Sequence, residues 1–146
     1  AAEGTSFIDT NVLLYAFDAA ENVKQPVARA MLDRLWAEHG GTLSTQVLQE
    51  FYNAATRKLS PPISRAEARE IIDLYSVWPV VVLDPALILA ATRVEEEHRL
   101  PFWDALVVEA ARVAGADVLL TEDMQHERVI EGVRIENPFA LVGEPS

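Results

Sequence analysis

Short apolar runs that stop at a polar residue, each followed by helical periodicity, recur along this chain, and this alternation limits its fold more than any other feature. The first instance is Ser6-Phe7-Ile8-Asp9-Thr10-Asn11-Val12-Leu13-Leu14-Tyr15. Phe7 and Ile8 read as the end of a short buried strand, and Val12, Leu13, Tyr15 and Ala16 open a helix. Thr42-Leu43-Ser44, Val80-Val81-Val82-Leu83, Ala116-Asp117-Val118-Leu119-Leu120 and Val133-Arg134-Ile135 are the later strands. Strands that alternate with helices predict an α/β fold, a mostly parallel sheet with helices on both faces. The parallel strands then all end at the same edge, where open sheets of this kind hold their ligands.

The helices between them are legible from their stripes. Asn22-Val23 starts one, with Pro26 tolerated in the first turns and Val27, Met31, Leu32, Leu35 and Trp36 on its inner face. Gly40-Gly41 is expected to end it. Val47, Leu48, Phe51, Ala54 and Ala55 line a helix from Thr45 to about Lys58, and Ser60-Pro61-Pro62 breaks the chain after it. Ser64 and Glu67 form a capping box before Ala68, Ile71, Ile72 and Tyr75. The run from Val80 to Leu83 predicts a strand buried on both faces. Asp84-Pro85 reads as N-cap and first helical residue, with Leu87, Ala90, Ala91 and Val94 following and Glu95-Glu96-Glu97 as a solvated end. A last helix carries Asp104 in its first turn and ends near Gly115.

The 146 residues suit a single domain, with Ala1 to Thr5 expected as a tail and Asn137-Pro138-Phe139 leading into another. No apolar run has the length of a membrane span and no secretory leader is visible. The absence of cysteine excludes disulfides and thiolate metal sites and fits a reducing, cytoplasmic setting. A net charge of -11 repels nucleic acid at long range, unless cations or a local basic patch intervene. Arg57, Lys58, Arg93, Arg99 and Arg128 are the candidates for such a rim.

Four acids stand out. Asp9 ends the first strand, and its simplest alternative role is a helix N-cap. Glu50 sits beside the buried face of its helix with Gln46, Asn53 and Arg57, and the alternative is a flank acid paired with Arg57. Asp104 shares a side with Val107, Val108 and Ala111, where a carboxylate needs a partner or a metal; the alternative is an anion favoured by the helix dipole. Thr121-Glu122-Asp123 repeats at the end of a later strand the pattern of hydroxyl, acid and turn. His126 follows Asp123 closely and is a minor candidate for the site, since surface histidines are commoner.

Asp9 and Asp123 follow strand ends, and Glu50 and Asp104 lie on helices that begin beside them, so the fold allows the four to converge. Carboxylates gathered in one pocket repel and raise one another's pKa. A divalent cation relieves this, and Mg²⁺ or Mn²⁺ suits carboxylate and water ligands. Such an ion activates water and stabilises phosphoryl charge, which points to phosphodiester hydrolysis. No Gly-rich phosphate loop, metalloprotease helix motif or Ser-His-Asp arrangement competes.

Phe7-Ile8-Asp9-Thr10-Asn11, Ser44 through Phe51, Phe102-Trp103-Asp104-Ala105 and Leu120 through Gln125 together resemble the four acidic motifs of PIN-domain nucleases. The end of the chain through Asn137-Pro138-Phe139 is similar to that of the VapC-type ribonucleases of toxin–antitoxin pairs. The resemblance implies a three-layer PIN-like sheet and a Mg²⁺- or Mn²⁺-dependent endoribonuclease that cuts RNA. It also implies a homodimer held inactive by a small cognate antitoxin. Asp9, Glu50, Asp104 and Asp123 would be the catalytic and metal-binding acids, with Asp9 and Asp104 the most direct ligands. Asn11, Thr121 and Thr10 would support them. An antitoxin arginine is expected to block the cluster, since its fork binds two carboxylates at once.

Two rivals remain. A phosphoacceptor signalling module needs an acid pair after its first strand and a lysine near its last, whereas Asp9 has no adjacent acid and the only lysines are Lys24 and Lys58. A catalytically silent PIN-like binding module would not need four acids.

Overall fold

The computed structural model describes residues 4–140. Its elements in chain order are β1 (Ser6–Ile8), α1 (Thr10–Ala16), α2 (Lys24–Glu38), β2 (Gly41–Ser44), α3 (Thr45–Arg57), α4 (Arg65–Tyr75) and β3 (Val80–Val81), then α5 (Pro85–His98), α6 (Phe102–Val113), β4 (Val118–Leu120), β5 (Val129–Ile130) and β6 (Val133–Glu136). The strands form one sheet in the order β3-β2-β1-β4-β6-β5. All neighbours are parallel except β5, which pairs antiparallel with β6. The fold is the expected α/β sheet flanked by helices.

The order of the strands places the site. From β1 the chain steps outward to β2 and β3, then returns through α5 and α6 to β4 on the other side of β1. The connection therefore reverses direction between β1 and β4, and the crevice at the C-terminal ends of those two strands is the switch point where such sheets bind ligands. Phe7 with Leu119 and Ile8 with Leu120 are in register there, all fully buried. The N–H of Asp9 still donates to Leu120 O at 3.0 Å, so the first residue past β1 is tied to β4. α6 packs against β2, β4 and β6 and carries α5 on its outer side, while α1 contacts α2 and α3, and α3 contacts α4.

Several local expectations change. The Val80–Leu83 run is a two-residue edge strand, half-buried at Val80 and Val81, with Val82 66% exposed. An apolar β-branched run suits an edge as well as a centre, and only the strand order separates the two. α2 is ended by His39, in the left-handed conformation at φ 55°, rather than by the glycines. Gly41 serves packing instead, since a Cβ there would lie 2.5 Å from the Trp78 ring. The β5–β6 hairpin turns through Glu131 and Gly132, both at positive φ, a pair that fits a type I′ turn. Phe139 does not belong to a tail: it is buried and meets Tyr15 edge-on at 5.1 Å. At the other end Thr5 donates its N–H to Asp117 Oδ2 and its hydroxyl to Gly115 O, whereas residues 1–3 of the expected tail lie outside the described residues.

Candidate active site

Asp9 lies at the switch point in extended backbone and caps α1. Its Oδ1 accepts from the N–H of Thr10 at 2.7 Å, and its Oδ2 accepts from the Thr121 hydroxyl at 2.8 Å. It is thus both the cap and a member of the acidic group. The side chain is 5% exposed, and no cation is bonded to it among the described residues. Burial raises its pKa from 3.8 to about 7, against the two hydrogen bonds and with help from the charges of Asp123 and Glu50.

The expected supporting residues wire the other acids to this one. Thr121 Oγ1 donates to Asp9 and accepts from Asn11 Nδ2 at 3.2 Å and from the N–H of Asp123 at 3.1 Å. Asn11 Nδ2 also donates to Asp123 Oδ2 at 3.1 Å, and Asn11 Oδ1 accepts from the N–H of Glu122 at 3.3 Å. Thr10 Oγ1 donates to Glu50 Oε1 at 2.7 Å. Asp9, Thr10 and Asn11 are consecutive at the start of α1, so one helix end holds Asp9 itself and reaches Glu50 and Asp123.

Glu50 comes from the second turn of α3. Its Oε2 accepts from Gln46 Nε2 at 3.4 Å, one turn earlier. Arg57, its alternative partner, instead donates to Thr56. Asp104 is half-buried in the first turn of α6. No donor hydrogen-bonds it among the described residues, and burial followed by the charges of Asp123 and Glu50 raises its pKa. The charges of Asp123 and Glu50 act on both Asp9 and Asp104, which puts the four acids in one electrostatic group.

The donor set fits a hard divalent cation. All four acids offer oxygen, Asp104 has no hydrogen-bond partner among the described residues, and a cation would stabilise the ionised form of the buried Asp9 carboxyl. Their oxygens are spread wider than a closed cage: among the described residues, the set of three His or acid ligand atoms all within 4.8 Å of one another is Glu97, His98 and Glu131. A wider spacing suits Mg²⁺, which keeps several of its waters. Glu131 precedes β6, which runs parallel to β4, so it lies toward the start of the parallel strands while Asp9 and Thr121 follow their ends. His98 Nε2 lies 3.0 Å from Glu131 and 4.0 Å from Glu97, a polar contact between α5 and the β5–β6 hairpin.

His126 takes another role than the one considered: its Nδ1 accepts from the N–H of Asn137 at 3.0 Å. Arg128 donates to His98 O. No hydrogen bond or ion pair joins Arg57, Lys58, Arg93, Arg99 or Arg128 to the four acids among the described residues. Gln46 was noted only as a flank residue, yet it is 6% exposed, and its Oε1 is buried without a hydrogen-bond partner. Its place four residues before Glu50 was the available signal. Tyr15, Lys24 and Glu122 form a further polar group beside Asp123, which no local spacing announces.

Fold and site together define an α/β domain with an acidic centre at the switch point of its sheet. The PIN domain model matches residues 6–131, and the chain belongs to that family. No curated protein sequence matches it. Among solved structures, it is similar to the Mycobacterium tuberculosis toxin VapC20, described as cleaving the sarcin-ricin loop, at 23% identity and TM-score 0.61 over 79% of this chain and 87% of that one. A toxin–antitoxin complex from Klebsiella pneumoniae matches at 15% identity and TM-score 0.67, over 92% and 98% of the respective chains. DNA-bound VapBC from Salmonella typhimurium matches at 16% and 0.65, again over 92% and 98%. At these identities the likeness is one of fold.

Proposed function

We propose that this chain is a divalent-metal-dependent endoribonuclease, the toxin of a toxin–antitoxin pair, using Mg²⁺ or Mn²⁺ to hydrolyse RNA phosphodiester bonds. The observation that carries the reading is the buried Asp9 carboxylate, charge-coupled to Glu50 and Asp123 at the switch point, in one group with an Asp104 that has no hydrogen-bond donor among the described residues. A structural cap needs neither the other acids nor the burial.

A bound divalent cation supplies charge neutralisation at the phosphoryl oxygens and a water of lowered pKa. The rest is done by the chain. Thr121 and the N–H of Thr10 fix both oxygens of Asp9. Thr10 and Gln46 orient Glu50, and Asn11 orients Asp123. Asp104, free of donors among the described residues, is left with its lone pairs for a cation or a water. Hydrolysis is then one in-line displacement, in which a water oxygen bonds to phosphorus, the bridging P–O bond breaks and the leaving oxygen gains a proton. The electrostatics support the role of a cation: a chain of net charge -11 needs one to let an RNA backbone approach four acids.

The partner reading is a small cognate antitoxin, supported by similarity to toxins seen in toxin–antitoxin complexes, with an arginine of the antitoxin standing in for the cation's charge. A homodimer is supported by the exposed apolar side chains Val82, Ile88 and Leu89. We place the protein in the cytoplasm; no helix among the described residues is long and apolar enough to cross a membrane. We also take residues 1–146 as one domain.

Incubating purified protein with structured RNAs, with and without Mn²⁺, tests the function. Mn²⁺-dependent cleavage by the wild type and none by Asp9→Asn is the expected result. Cleavage by both at equal rates removes Asp9 from the mechanism, and no cleavage by either in Mn²⁺ defeats the nuclease reading.

A further inference from the structure

Asp123 is held by few side-chain bonds. It is exposed, it lies past β4 on a segment without helix or strand, and its carboxylate accepts one hydrogen bond, from Asn11. Backbone bonds already tie this segment down, from the N–H of Thr121 to Glu136 O and from the N–H of Glu122 to Asn11 Oδ1, and the side chain next to Asp123 adds a tether of its own. Glu122 Oε1 accepts from the Tyr15 hydroxyl at 2.5 Å, and Oε2 accepts from Lys24 Nζ at 3.0 Å. Lys24 Nζ also lies 3.4 Å from the Tyr15 oxygen, 4.9 Å from the centre of the Tyr15 ring and 5.7 Å from that of Phe139. Residues from α1, α2 and the segment after β6 therefore converge on the side chain next to Asp123.

We propose that Tyr15, Lys24 and Glu122 are positioning residues of the acidic site. They clamp the Thr121–Asp123 segment onto α1 and α2, so that Asp123 stays with Asp9, Glu50 and Asp104. The consequence for metal rests on the nuclease reading, whereas the clamp itself rests on the geometry. Both oxygens of Glu122 are used, by a hydroxyl and by an ammonium that also sits over two aromatic rings. Lys24 and Glu122 are half-buried, and their pair is one tether among several, so removing it loosens this segment locally and leaves the hydrophobic core intact. Lys24 has a second effect. It offsets the charge of Glu122, which would otherwise crowd the site one residue from Asp123. In a chain with two lysines and an excess of acids, that placement is the more informative.

The test uses Lys24→Met and Glu122→Gln in the full chain, each alone and combined with Asp123→Asn. The readouts are amide hydrogen exchange of residues 121–125 in metal-free protein and the Mn²⁺ dissociation constant by calorimetry. Each single variant should speed exchange in that segment while leaving core exchange unchanged. It should also weaken Mn²⁺ binding by roughly tenfold or more, the range for groups that orient metal ligands. Combined with Asp123→Asn, neither should weaken Mn²⁺ further, because both act through the same carboxylate. Lys24→Arg, which keeps the charge, should retain most of the affinity. Unchanged exchange and affinity in the single variants overturn the proposal, as does an undiminished loss in the Asp123→Asn background. A wild type that neither binds Mn²⁺ nor cleaves RNA defeats the nuclease reading instead, and the exchange measurement still decides whether the clamp holds the segment.

Discussion

Replacing Asp9 by Asn should make the metal-free protein more stable at alkaline pH. In the fold the Asp9 carboxyl titrates at about 7, whereas its unperturbed value is 3.8. Each unit of that difference costs the folded state about 1.4 kcal/mol once the group is ionised, which comes to ~4 kcal/mol at pH 8. Asn removes the charge at nearly constant volume. Its Oδ1 still accepts from the N–H of Thr10, but its Nδ2 faces a Thr121 hydroxyl that already accepts from Asn11 and from the N–H of Asp123. Losing the Thr121 bond costs about 1–2 kcal/mol. The net expectation is a gain of roughly 2–3 kcal/mol, or about 5–10 °C in melting temperature for a domain of this size. The sign has a pH signature. Below the unfolded pKa both states are protonated and the variant has no advantage. Between about 4 and 7 the unfolded wild type releases a proton that the folded state keeps, so wild-type stability falls as pH rises; above 7 the gap is constant. Mn²⁺ at about 100 times its dissociation constant should return roughly 2.7 kcal/mol to the wild type and much less to the variant. Thermal denaturation followed by circular dichroism at pH 5 and pH 8, with and without Mn²⁺, measures all of this. A variant that melts below the wild type at pH 8, together with a wild type indifferent to Mn²⁺, would show Asp9 to be a cap and nothing more.

Asp104→Asn should abolish Mn²⁺-dependent RNA cleavage and, without metal, melt at or above the wild-type temperature, since it removes a charge that no donor among the described residues satisfies. In a gel assay of RNA cleavage, Glu50→Gln and Asp123→Asn should be crippled as well, with less complete loss. Gly41→Ala should cost about 1–3 kcal/mol in urea denaturation, because the new methyl meets the Trp78 ring and one of them must shift. His98→Ala should leave Mn²⁺ affinity by calorimetry unchanged and alter stability by no more than ~1 kcal/mol, as for an exposed ion pair. A loss of metal binding in that variant would move the cation to Glu97, His98 and Glu131.

Periodicity and composition were sufficient for most of the element types, the parallel part of the sheet and the choice of the four candidate acids, because each rests on local chemistry, whereas the two-residue β5 and its antiparallel pairing went unread. Phe7-Ile8-Asp9 shows a strand end and an acid within three residues, and Asp104 betrays itself as a carboxylate amid Ala105, Leu106, Val107 and Val108. What the sequence could not contain is which residues meet across large separations. The Val80–Leu83 run looks central until the strand order puts it at an edge. Phe139 looks terminal until it packs on Tyr15. Thr121 reaches Asp9 across 112 positions and Glu122 reaches Lys24 across 98, and no pattern in the chain marks those hydrogen bonds. The chain by itself determined which side chains were available for the chemistry, through local spacing and hydrophobic pattern. The tertiary structure alone decided the protonation of Asp9, because its burial and its nearness to Asp123 and Glu50 exist only once β1 and β4 lie side by side.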